Sequence, residues 1–209
     1  MEPTAATRRD KAKPGTNEQR ELTGSTLTRM DGEGNERKFI LSFSSEEPYE
    51  RWWGIEILDH ADGAVDLSRL NDIGCVLFNH NRDVVVGKIN RAWVENNRGY
   101  AEIEFDFDEQ SEVIYQKVRS GTLKGVSVGY RIDVIEEVQA GKASTDGRFT
   151  GPAEIVRKWW PYEISIVSVP ADGTVGVGRE AETTGASVPL EVLECQLQIN
   201  KNLYGGTKQ

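Results

Sequence analysis

The run GTLKGVSVGYR at residues 121–131 alternates in character from Gly125 onward, and a period of two suits a strand and not a helix. Val126, Val128, Tyr130 and Ile132 fall on one face, and Gly125, Ser127, Gly129 and Arg131 on the other. Glycine inside a strand forgoes packing and costs backbone entropy, so a serine framed by two glycines predicts that another backbone approaches closely there. A peptide-cleaving nucleophile requires such an approach. A glycine-relieved strand carrying an exposed serine is the plainer alternative, and the stretch alone does not choose between them.

Similar runs recur along the chain and predict a mainly β domain with a few helices. Strands are expected over 37–43, over 51–58 with Trp53, Ile55 and Ile57 on a core face, and over 84–89. The unbroken apolar run 75–78 reads as a buried strand. Residues 91–94 and 100–107 flank ENNRG at 95–99, a hairpin signal, with Ala101, Ile103, Phe105 and Phe107 inward and the acids Glu102, Glu104 and Asp106 on a solvated face. Two more strands are expected at 154–160 and 162–169, with Pro161 marking a bend or an edge. Asp108 opens a helix, Val113, Ile114, Lys117 and Val118 recur at helical spacing, and Gly121 supplies the stop. A short helical or irregular connection is expected near 67–71, and the polar segment 136–151 reads as a long mobile loop able to serve as a flap.

Both ends are too polar to offset the entropy of ordering. Residues 1–35 are therefore expected to form a disordered arm, 36–178 a single domain, and 179–209 a polar tail. In the tail, Leu190, Val192, Leu193 and Leu197 are spaced for a short amphipathic helix. A net charge of -9 argues against nucleic acid as the main partner, because phosphate neutralisation needs clustered Lys and Arg. The two cysteines, Cys75 and Cys195, have neither disulfide-framework nor zinc-ligand spacing, which suits a reducing cytosol. No stretch approaches the ~18 apolar residues of a membrane helix, and the start of the chain lacks the apolar core of a secretory signal.

The chain thus offers one serine in a glycine frame, two histidines, and a carboxylate, Glu163, opening an apolar strand. Serine is a weak nucleophile and needs a base, which in turn needs a partner to hold its tautomer. His80 follows a buried strand in a loop of hydrogen-bonding side chains, whereas His60 lies in the turn composition of 59–63 and reads as a surface residue. Asp83, close to His80 in sequence, competes with Glu163 for the orienting role.

Three blocks in order, LFNH at 77–80, GTLKGVSVGY at 121–130 and YEISIVSVPA at 162–171, resemble the tailed-phage prohead serine protease family of capsid maturation proteases. The resemblance spans roughly 36–178. It implies a closed or partly closed β-barrel similar to the herpesvirus assemblin protease. It also implies an endopeptidase that cleaves phage scaffold and major capsid protein segments, and itself, in the immature head within the bacterial host cytoplasm. Carried over by position, it implies His80 as base, Ser127 as nucleophile and Glu163 as orienting acid, with no metal or organic cofactor. Neither nucleic acid nor membrane is implied as a partner, and oligomerisation is left open.

Overall fold

The alternating runs pair into one ten-stranded sheet in the computed structural model, which describes residues 13–21 and 27–168. Its strands are β1 (Asn17–Glu21), β2 (Leu27–Arg29), β3 (Lys38–Ser45), β4 (Tyr49–Arg51), β5 (Gly54–Leu58), β6 (Cys75–Phe78), β7 (Asn81–Glu95), β8 (Arg98–Phe105), β9 (Gly125–Val138) and β10 (Ala153–Val167). Two helices accompany them, α1 (Ser68–Ile73) and α2 (Glu109–Arg119). The lateral order is β1-β9-β10-β6-β7-β8-β3-β2, with β5 also on β10 and β4 outside β5. The expected mainly β class is therefore present as a curled half-barrel. Among the described residues β1 and β2 end the path without pairing to each other, so the sheet does not close.

β10 is the spine. It runs antiparallel to β9 along its length, and parallel to β5 through Glu154–Val156 and to β6 through Ile164–Ile166. The two strands expected on either side of Pro161 are one, because the register slips between Pro161 and Glu163 and the bulge accommodates the missing N–H. The runs 84–89 and 91–94 likewise join into β7 across a slip between Ile89 and Arg91. The 95–99 hairpin forms as expected, with positive φ at Asn96 and Asn97. The run 51–58, by contrast, holds the β4–β5 turn at Trp52 and Trp53, and its Glu56 is buried where the alternation placed it outward.

The main core joins Phe39, Leu41, Phe43, Ile103 and Phe105 to Val126, Val128, Tyr130, Trp159, Ile164 and Ile166. Helix α2 is capped by Asp108, whose side chain accepts from the Gln110 and Ser111 N–H groups. It turns Ser111, Ile114, Tyr115 and Val118 inward, leaving Val113 and Lys117 outside. The buried stripe departs from the expected one because Tyr115 packs on Phe39 and Phe105 and donates its hydroxyl to the Glu36 carbonyl at 3.0 Å. Phe107 lies beyond the end of β8 and is exposed, its ring covered by the Arg37 guanidinium.

The disordered arm expected over 1–35 is not what residues 17–21 and 27–29 form: β1 pairs with β9, and β2 with β3. Composition measures what side chains can bury, but a sheet edge offers backbone hydrogen bonds to almost any sequence. Residues 1–12 and the 179–209 tail, with its expected helix, lie outside the described residues. The expected flap at 136–151 is tied down as well. β9 continues to Val138, Ala140 and Ala143 bridge to Gly151 and Thr150, and Arg148 and Arg157 join Asp146 to Asp59.

His60, expected in a surface turn, is 4% exposed. Its Nδ1–H donates to the Leu58 carbonyl at 2.9 Å, its Nε2 accepts from Ser44 Oγ at 2.8 Å, and its ring meets Trp159 edge-on. Burial, aided by the charges of Arg20 and Arg98, lowers its pKa from 6.5 to about 4. Between those values the unfolded chain binds a proton that the folded chain does not, so stability rises with pH through the window and is lost as pH falls through it. The resistance of the wild type to urea is expected to rise from pH 4.5 to 7, with His60→Gln removing on the order of 2 kcal/mol of that rise. An identical pH profile in the variant would assign the effect elsewhere.

Candidate active site

β6 ends at Phe78 and β7 begins at Asn81, so Asn79 and His80 alone make the connection, with φ of 51° and 58°. Left-handed backbone at both positions defines the tight turn whose twist suits a hairpin. For non-glycine residues it costs on the order of 1 kcal/mol each, and it persists only where the surroundings hold it. Here β10 holds it. The Asn79 N–H donates to the Ile166 carbonyl at 2.9 Å, Asn79 Oδ1 accepts from the Ser168 N–H at 2.9 Å, and the His80 N–H donates to Ser165 Oγ at 3.1 Å.

The turn delivers the imidazole between β9 and β10. His80 Nε2 lies 2.8 Å from Ser127 Oγ, and His80 Nδ1 lies 2.6 Å from Glu163 Oε1. With the carboxylate accepting the hydrogen bond from Nδ1–H, Nε2 presents its lone pair to the serine hydroxyl. The second carboxylate oxygen accepts from Ser165 Oγ at 2.8 Å, so one hydroxyl supports both the carboxylate and the histidine backbone. Ser127 and Ser165 are fully buried, Glu163 is 6% exposed, and the three contacts form a water-poor relay.

The three residues expected to work together are therefore neighbours. Asp83, the alternative partner for His80, is exposed, and its N–H instead bonds the Asn81 side chain. The glycine frame has a specific use at Gly129. It pairs with Glu163 across the sheet, and a Cβ there would collide with Glu163 Oε1 and come within 2.7 Å of the Tyr162 ring. A glycine frame predicts a close approach by another backbone, whereas beside Gly129 the space is filled by the Glu163 carboxylate. Ser165 joins the three, and its position two residues after Glu163 on the same face is the sequence signal for it. An open cleft of about 430 Å³ adjoins the carboxylate, lined in part by Asn17, Arg82, Arg131, Tyr162 and Glu163.

A buried hydroxyl, imidazole and carboxylate in hydrogen-bonded series is the arrangement with which serine hydrolases carry out acyl transfer. The chain belongs to the caudovirus prohead serine protease family, whose sequence model matches residues 56–186. A relative from Halomonas phage phiHAP-1, named as a major capsid protein, is 34% identical over 164 residues. The match takes in 77% of this chain but 26% of the relative, so the chain spans about a quarter of that protein's length. The bacteriophage T4 capsid assembly protease aligns over 73% of this chain and 99% of its own, at 10% identity and a TM-score of 0.40.

Gly129→Ala is expected to push Glu163 away from His80 and abolish the low-field Nδ1–H proton resonance that their hydrogen bond should give. Persistence of that resonance in a folded variant would show that the glycine is not what admits the carboxylate.

Proposed function

We propose that the chain is a serine endopeptidase that cleaves scaffold and capsid-protein segments, and itself, during phage head maturation, on a fold akin to herpesvirus assemblin. The observation that carries this reading is the Ser127–His80–Glu163 hydrogen-bond series, and family membership supports its setting in the immature head. Ser127 gives its proton to His80 Nε2 as Oγ adds to a peptide carbonyl carbon. His80 then protonates the departing amine, and water drawn through the same base releases the acyl group. Glu163 holds the ring in the Nδ1–H tautomer and offsets the imidazolium charge as it forms, while Ser165 fixes the carboxylate. The route calls for no metal or organic cofactor. Among the described residues no helix is long and apolar enough to cross a membrane.

A second reading, a catalytically inactive capsid-assembly domain on the same fold, draws on the relative named as a major capsid protein. Ser127→Ala separates the two. In cells co-expressing a scaffold or capsid protein from the same phage, it is expected to lower cleavage by a factor on the order of 10³ or more with the fold retained. Unchanged processing would favour the assembly reading. Glu163→Gln is expected to cost on the order of 10² or more, with Asp83→Asn close to wild type. The reverse pattern would transfer the orienting role to Asp83.

A further inference from the structure

Strand β1 lies along the edge of β9 that carries Ser127, running antiparallel to it. Gln19 stands opposite Gly129, Arg20 opposite Val128 and Glu21 opposite Ser127. The Arg20 carbonyl oxygen is 3.0 Å from Ser127 Oγ. The serine hydroxyl, within reach of His80 Nε2 at 2.8 Å, also donates toward this carbonyl oxygen, so the Arg20 peptide group is the backbone in contact with the nucleophile. The carbonyl carbon is one C=O bond, about 1.23 Å, from that oxygen. Addition of an extended peptide to a sheet edge is a general way of presenting backbone to a site.

The Arg20 side chain supplies an independent observation. It is 3% exposed, with Nη2 donating to the Glu47 carbonyl and the Tyr49 ring 5.0 Å from the guanidinium. Its Nε and Nη1 have no hydrogen-bond partner, and neither has the buried Glu56 Oε2. Glu56 Oε1 is engaged by Tyr130 and Arg51, leaving its second oxygen unspent. Burying a guanidinium with donors unsatisfied is costly and is hard to explain for a permanent structural arginine. A pocket with an aromatic face, a backbone carbonyl and a carboxylate nevertheless has the chemistry that receives arginine.

We propose that β1 is bound as a substrate: peptides add antiparallel to the β9 edge, the Arg20 pocket takes an arginine before the scissile bond, and the Arg20–Glu21 bond is presented to Ser127. This rests on the endopeptidase reading and adds to it a substrate class and a cleavage point. Ser127 Oγ forms an ester with the Arg20 carbonyl carbon as the bond to the Glu21 nitrogen breaks, and His80 passes the serine proton to that nitrogen. Water then cleaves the ester, giving the Arg20 carboxylate and restoring the serine. The departure of residues 1–20 vacates the edge for peptides in trans. In the bound strand Asn17 lines the cleft beside Arg82 and Arg131, so the cleft receives side chains on the N-terminal side of the cut.

The full-length wild type and Ser127→Ala are each incubated with casein, and separately with a peptide of residues 15–26, GTNEQRELTGST, and read by mass spectrometry. The wild type is expected to release Met1–Arg20, leave a chain beginning at Glu21, and cut the peptide between Arg and Glu, while Ser127→Ala does neither. Replacing arginine by glutamine in the peptide is expected to slow its cleavage at least about tenfold. Equal rates for the two peptides would overturn the arginine pocket. Casein cleavage that depends on Ser127, with the Arg20–Glu21 bond intact in both chain and peptide, would overturn the substrate assignment and leave the endopeptidase reading standing. Absence of any Ser127-dependent cleavage would overturn both.

Discussion

The antiparallel register of β9 on β10 is the constraint on which the rest of the molecule depends. It sets Ser127 opposite Ser165 and Gly129 opposite Glu163. In the same ladder Val126 and Val128 meet Ile166 and Ile164, which are fully buried in the core. The two faces of one strand pair therefore serve different ends. A shift of one residue between the strands would turn the polar set into the apolar core and the valines out of it, so the apolar face enforces the alignment of the chemical face. Several apolar side chains would leave the core together in such a slip, at a cost that exceeds what any one hydrogen bond of the relay contributes.

The relay stays ordered because its members are held from several directions. Glu163 has both oxygens occupied, one by His80 and one by Ser165. His80 is fixed through its backbone N–H and both ring nitrogens, on a turn whose left-handed backbone is maintained by Asn79 bridging to Ser168 and Ile166. Such a network is costly to bury unless fully satisfied, and this one is satisfied. The contrast within the same protein is the Arg20–Glu56 pocket, where buried donors and an acceptor go unpaired.

Much of this was legible in the sequence wherever side-chain alternation controls the outcome. The faces of β8 and β9, the Asn96-Asn97 turn and the Asp108 cap follow from local chemistry. The three residues of the relay emerged from residue type and from block order, but their contact could not, since it is made by pairings between strands remote in sequence. Three of the departures share one reason. The arm at 17–21, the segment at 136–151 and the His60 turn are polar stretches held by backbone ladders, ion pairs and specific hydrogen bonds. Composition reports none of these. Glu56 escaped notice similarly, because its burial depends on Tyr130 and Arg51 arriving from elsewhere.

The slip between Pro161 and Glu163 carries a further consequence. Trp159 and Ile164 both enter the main core although they are five residues apart, an odd interval that an unbroken strand would send to opposite sides. The extra residue reverses the parity of β10 between Pro161 and Glu163. Just before the slip Trp159 points to the core; after it the even-numbered Ile164 and Ile166 do, which frees Glu163 and Ser165 for the other side. Deleting a single residue at the bulge would preserve the composition and nearly all of the pairing, yet it would present the wrong half of the strand to His80. The fold thus keeps its acid in place by a counting rule, one residue out of step with its partner strand.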